Sequence, residues 1–546
     1  MRFVMTLPQT ATLALRANPL LLSSDGKHLA YVAQQGDNTQ LVLRELEDSE
    51  PKPIPGTLGA YSPFFSPDGS WIGYFDARDS KLKKVALTGG TPVVLCPAQF
   101  GLGASWGEDG SIIFAPDVFS GLWRIQAAGG KAEPVTQLQQ KEYTHRWPQI
   151  LPGGKAVIFT IGTSGAANAA CVAALMLKSG QKKVILEGAS DARFSPTGQL
   201  FFVRAGNLMA VRFDPAGLKV MGTPFLVKRG IGTDPSVWAG HYSLSHSGVL
   251  AYALAAEDDD LRSLAWVDRQ GGMQKLTVNR GAFSYPRLSP DGRQLAVAIK
   301  SQAEKSNIWT VDLANGAFKR LTSDGHNLLP VWTPDGKKLT YASVHDGEWH
   351  LYRMPADGSG TAELLRKSES PCVPNSWSQD GRSLVFTEFA PDTGPDIWIL
   401  SLEGGNNARP YLCTPYAEWG GTFSPDGHWL AYTSNDSGLA QVYVQPYPGP
   451  GERYQISTAE GREPVWGHDG RELFFRYWKG LMEVGIRTDP EFNPDPPRLV
   501  VPGEHETGDI DAFPNYDVAG DGQRFVLIPH EQKDRRQINI DLNWLK

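Results

Sequence analysis

Cysteine is scarce in this 546-residue sequence. Cys96, Cys171, Cys372 and Cys413 stand far apart with no CxxC pair, which argues against a structural zinc site and against a dense disulfide framework. No window holds the roughly 18 uninterrupted apolar residues that a membrane-spanning helix needs, and the N-terminal stretch MRFVMTLPQTATLALRANPLLLS has no unbroken apolar core of the kind a signal peptide carries. As written, the chain is expected to have no membrane span and no export address. Charge of one sign is not massed either: 52 basic against 59 acidic residues give a mild net −7, so a nucleic-acid partner is not expected.

Turn residues, in contrast, are plentiful. The 58 Gly and 40 Pro are spread evenly, as expected of an all-β chain whose short strands are punctuated by many turns. The segments FSPDGSWIGYF (65–75), LSPDGRQLAVAI (288–299), WTPDGKKLTYAS (332–343), WSQDGRSLVFTE (377–388) and FSPDGHWLAYTS (423–434) share one pattern. An apolar residue leads into a Pro/Asp/Gly turn and then an alternating apolar run, which reads as a hairpin. Pro presets φ, Asp bonds its own downstream backbone and Gly accepts a positive φ. An aromatic or branched strand and a short fourth strand follow, and such four-stranded units stack as propeller blades.

The turn glycines fall at 26, 69, 110, 154, 198, 248, 292, 336, 381, 427, 470 and 522, which makes twelve repeats. Their steps run from 41 to 46 residues except for two, of 50 and 52, that lie six repeats apart. The fold expected is therefore a β-propeller of twelve four-stranded blades, as two tandem six-bladed rings (1–271 and 272–546), with a single twelve-bladed ring as the alternative. RFVMTLP (2–8) precedes the first repeat as MQKLTV (273–278) precedes the seventh, and SLAWVD (263–268) and INIDLNWL (538–545) end the sixth and twelfth. Each half is expected to close on itself, its first strand completing its own last blade.

The SPDG-type hairpin with its following aromatic strand resembles the TolB-like propeller repeat over nearly the whole chain. HRWPQILPGG (145–154), SGLWRIQAAGG (120–130), SNDSGLAQVYVQPYPGPG (434–451) and QINIDLNWLK (537–546) further resemble the C-terminal propeller region of bacterial serine/threonine protein kinases. The sequence holds no glycine-rich loop ahead of a Lys-bearing strand, no HRD and no DFG, so kinase activity is not implied. Nor is there room for the α/β-hydrolase domain that TolB-like propellers precede in prolyl oligopeptidase-like enzymes. The resemblance implies a recognition module, and an extracytoplasmic location in contrast to the cytoplasmic one read from the N-terminus.

Gly103-Ala104-Ser105-Trp106-Gly107 matches GxSxG. A nucleophile elbow needs a strand before it and a helix after it, whereas here the next turn follows at once, so Ser105 is expected to be a strand residue. The acidic run from Glu257 to Asp260 is read as a solvated hairpin tip. More informative are the residues just ahead of each first strand, where the chain enters the rim of the channel. His145, Arg146, Asp191, His241, Tyr242, Tyr285, His326 and Trp419 are the candidates for binding a ligand there. Tyr61 falls at the same phase. Glu418, Glu463, Asp511 and Asn515 are the candidates for holding a hard cation such as Ca²⁺, while no cofactor is firmly implied. The bland alternative is that each of them bonds the backbone of a neighbouring blade.

The function expected is a non-catalytic module that binds a protein, a peptide or a small ligand. The alternative is a Ca²⁺-dependent hydrolase of lactonase or phosphotriesterase type acting in a channel. A third reading is a detached sensor domain working with a kinase encoded elsewhere.

Overall fold

The computed structural model describes the chain except residues 1, 16, 37, 48–49, 140–141, 164–169, 235, 256–260, 277–279, 302–304, 346–347, 391–392, 450, 478–479, 490, 504, 507, 509–511, 530–534, 543 and 545–546, and except the side chain of residue 143. The acidic run 257–260 and Asp511 thus lie outside the described residues. Those described form strands, turns and loops with no helix.

The repeat arises from one local device. In the hairpin Phe65–Trp71, Ser66 Oγ donates to Asp68 Oδ1 at 2.5 Å and accepts from Trp71 N at 2.9 Å, while Asp68 Oδ1 accepts from Ser70 N. Gly69 closes the turn at φ 71°, where a side chain would be strained. The same Ser/Thr-x-Asp box stands at Ser289–Asp291, Thr333–Asp335, Ser378–Asp380 and Ser424–Asp426. All twelve turn glycines have φ between 64° and 89°.

The chain forms two compact units, residues 1–259 with 532–546 and residues 260–531. In the first, six antiparallel sheets of four or five strands follow one another. Apolar seams hold successive sheets together, and the sixth packs back on the first through Val249, Ala251, Ile538 and Ile540 against Leu20, Leu22, Leu29 and Tyr31. The unit is a closed six-sheet ring. The second unit is built alike, its inner strands Ala282–Leu288, His326–Trp332, Cys372–Trp377, Glu418–Phe423, Arg462–Trp466 and Tyr516–Val518 each touching the next and the last touching the first.

Closure differs from the sequence expectation. Ala265–Asp268, expected to finish the first ring, pairs with Arg524–Leu527 in the second. Gln537–Asp541, expected to finish the second, lies between Leu250–Tyr252 and Arg2–Thr6 in the first. The two third strands are exchanged. Both alternate apolar residues at period two and both suit either slot, so nothing in their pattern specifies which ring receives which strand.

Candidate ligand-binding channel

The innermost strand of every blade is a sheet edge, and its unpaired N–H and C=O groups must be satisfied from the neighbouring blade. In both units the residue five positions ahead of the turn glycine does this. Gln149 Oε1 accepts from Phe194 N at 2.5 Å, Ser105 Oγ from Ile150 N, Ser243 Oγ from Leu22 N, Asp517 Oδ2 from Leu288 N and Ser376 Oγ from Phe423 N. Arginines at the same position reach the other way. Arg193 donates to Pro148 O, and Arg287 donates to Pro514 O at 2.7 Å and Tyr516 O at 2.9 Å. Ser105, the serine of the GxSxG string, is thus one link in a ring of interblade bonds.

A bulge sets this geometry. Ser62, Trp147, Asp191, Tyr285, Leu329 and Glu463 lie in left-handed conformation with φ between 44° and 59°, and Gly420 takes the equivalent place at 67°. At each of these the pairing of inner and second strand slips. The slip turns the residue two positions on into the channel. In the second unit Arg287, Val331, Ser376, Thr422, Val465 and Asp517, one from each blade, line a cavity of about 380 Å³. Each is half-buried, and all but Ser376, which follows the half-buried Asn375, stand between buried neighbours. The exposed Gln379 and His468 stand at the turn end of the lining. Leu329 and Phe513, 3% and 1% exposed, are the most deeply buried of its Leu, Val and aromatic lining residues.

The eleven described candidates from the sequence are all buried, at 0–8% exposure, and none lines this cavity. They are gathered instead into local networks in the seams, most of them at the bulges or just before them. His145 Nδ1 lies 2.7 Å from Thr136 Oγ1 and its Nε2 lies 3.0 Å from Glu142 Oε2. Burial pushes the imidazole down. Burial pushes the Glu142 carboxyl up, but hydrogen bonds from His145, Lys182 and Gln139 N outweigh it and bring it to about 2.

Thr136, His145 and Glu142 have the order of a hydroxyl–imidazole–carboxylate relay. Thr136 Oγ1, however, accepts from Leu122 N as Thr57 does from Leu41 N, Thr322 from Ile308 N and Ser457 from Val442 N. That hydroxyl is a recurrent cap of the third strand, spent on the backbone. Arg146 lies over the Trp238 ring at 4.7 Å. His326 Nδ1 accepts from Ser306 N, and burial pushes its imidazole down to about 4. His241 is wholly buried near Arg535, and burial with that neighbouring charge brings it to about 3.

One network occurs twice. Asp191 Oδ2 accepts from Gly240 N, and its backbone oxygen accepts from Tyr242 Oη at 2.5 Å. Glu463 Oε2 accepts from Asn515 N, and its backbone oxygen accepts from Tyr516 Oη at 2.9 Å. Each couple ties the fifth blade of its ring to the sixth. It sits where the two long repeat steps occur, the extra residues forming the segments that carry Trp238 and Phe513.

Of the cation candidates, Glu463 and Asn515 come together, but Glu463 Oε1 is held by Arg476 at 2.8 Å, and Asn515 Oδ1 accepts from Tyr285 N while its amide donates to Glu506 O. Glu418 stands apart, its Oε1 accepting from Thr414 Oγ1, and burial raises its carboxyl to about 7. Among the described residues no group of three or more His, Cys, Asp or Glu assembles that could hold a metal.

Comparison with known proteins bears on the inner-strand and hairpin repeat. Residues 264–388 match the model of the TolB beta propeller domain. The chain carries a TolB-like propeller domain. This TolB-like chain is 29% identical over 205 residues to the uncharacterized protein Atu1656 of Agrobacterium fabrum, across 35% of the chain and 69% of that protein. It is 28% identical over 206 residues to the Tol-Pal system protein TolB of Francisella tularensis, across 36% of the chain but only 46% of that protein. The solved structure of a putative TolB from Agrobacterium tumefaciens superimposes with a TM-score of 0.40 at 18% identity, covering 50% of the chain and 99% of that structure. No helix of the described residues is long and apolar enough to cross a membrane.

Proposed function

We propose that this chain is a non-catalytic binding module and that the channel of its second unit is the site that receives the ligand, a segment of a partner protein or a small molecule. The observation that carries the proposal is the cavity of about 380 Å³, to which all six inner strands of that unit contribute. Its volume is in the range of pockets that bury a small ligand or a short peptide segment. A protein partner is favoured because one relative is named for the Tol-Pal system, and the family resemblance brings an extracytoplasmic location with it.

Thr422→Trp tests the assignment by filling the cavity from a half-buried position. Immobilised wild-type protein and the variant, with matching melting temperatures, are exposed to extract of the native host and the retained species compared. A partner held by the wild type and lost by the variant is the outcome expected. One held equally by both, or a substrate turned over by the wild type and not by the variant, would sink it.

A further inference from the structure

The chemistry of the cavity wall specifies what enters it. Its charged groups Arg287 and Asp517 are committed to the ring: the guanidinium donates to Pro286 O, Pro514 O and Tyr516 O, and the carboxylate accepts from Leu288 N and Val518 N. Burial pushes the Arg287 guanidinium down and the Asp517 carboxyl up, as befits charges withdrawn from water and neutralised by neighbouring dipoles. A ligand charge brought against these walls would lose its hydration and gain no free counter-charge, which is a heavy penalty.

What remains unspent is neutral. Gly420 N donates to Thr387 Oγ1, so the hydroxyl proton of Thr387 is left to donate, and it does so to Asn375 Oδ1 at 2.7 Å. This fixes the orientation of the Asn375 carboxamide. Asn375 lines the cavity, and with its Oδ1 bonded to Thr387 its Nδ2 is a donor with no acceptor among the described residues. Thr422, one blade on, adds a hydroxyl. Leu329, Val331, Val465 and Phe513 supply the apolar wall.

Resting on the reading of this channel as a binding site, we propose that it selects an uncharged, carbonyl-bearing ligand group, a carboxamide in chemical class, which accepts a hydrogen bond from Asn375 Nδ2 and excludes the isosteric carboxylate. The source of that amide is a Gln or Asn side chain of a partner segment.

Ligand-observed saturation-transfer NMR on the full chain at pH 7 tests this with two near-isosteric probes, N-acetyl-glutamine amide and N-acetyl-glutamate amide. The glutamine probe is expected to saturate the site at a concentration at least about tenfold lower, because the glutamate carboxylate sheds its hydration with no free counter-charge to meet it. Asn375→Ala, which removes the donor without adding a charge, is expected to weaken the glutamine probe about tenfold. Asn375→Leu, near-isosteric and apolar, serves as a second variant, and a melting curve checks both. Equal or tighter binding of the glutamate probe, unchanged binding of the glutamine probe by a folded variant, or no binding of either probe would overturn the assignment. The last result leaves the channel itself to the Thr422→Trp comparison, so the two readings fail separately. N-acetyl-alanine methylamide, which presents main-chain amides alone, is expected to bind more weakly than the glutamine probe, and equal binding would overturn the side-chain assignment.

Discussion

At the scale of single residues, the hairpin Asp is the clearest case of a side chain whose job is local. Hydrogen bonds from Ser66 and Ser70 bring Asp68 down to about 2, and Asp25, Asp291, Asp335 and Asp380 are lowered for the same reason. A carboxylate depressed in the folded state contributes stability that is fully present above its unfolded value near 4 and is lost as pH falls through the folded value. Melting temperature is therefore expected to drop as pH goes from about 5 to about 2. Ser66→Ala is expected to lower it at pH 7 by a few degrees and to flatten the acid limb, because the bond that depresses Asp68 is gone. Differential scanning calorimetry across that range checks both.

At the scale of elements, the seams between blades combine apolar packing with a row of edge-satisfying side chains. Trp332 Nε1 donates to Arg287 O and Trp466 Nε1 to Thr422 O, each stapling its blade to the one before. Gln149 makes two bonds across one seam, accepting from Phe194 N and donating to Phe194 O. Gln149→Ala is expected to cost about 1–2 kcal/mol through the unmet Phe194 N–H, read as a lowered melting transition. Lys183→Ala, on an exposed outer strand, is expected to leave it unchanged.

The elements were legible in the sequence because turn chemistry and period-two alternation act over a few residues, and every turn glycine adopts the positive φ that its pattern implied. The site was not, although its signal was present. Arg287 and Asp517 are the charged residues at a position that elsewhere in the second unit carries Val, Ser or Thr. Most candidates taken from the sequence stand at the bulge or just upstream of it, where their side chains turn into the seams, while the residue two positions past the bulge is presented to the channel. A left-handed Tyr285 or Glu463 followed by Pro has no distinct signature in a strand pattern, so that turning point is visible only in the backbone.

At the scale of the molecule, each ring is closed by a strand that the sequence order assigns to the other. Ile538 and Ile540 are wholly buried, and Asp541 is held by Arg2 and Lys228. Removing residues 536–546 is expected to open the first unit while sparing the second. Limited proteolysis should then cut within 1–259 and leave fragments of 260–531 protected. Equal loss of both units would contradict the assignment of the strand to the first ring alone.

The exchange also bears on synthesis. Domains usually acquire structure in the order in which they leave the ribosome. Here the second ring has its full set of strands once residue 527 has emerged, whereas the first, begun some 260 residues earlier, waits for residue 541. The earlier half of the nascent chain must therefore stay open, with the edge of Leu250–Tyr252 unpaired, until the later half is complete. Arrested nascent chains ending before residue 537 should bind chaperones through the first unit, and release should come once residues 537–541 have emerged.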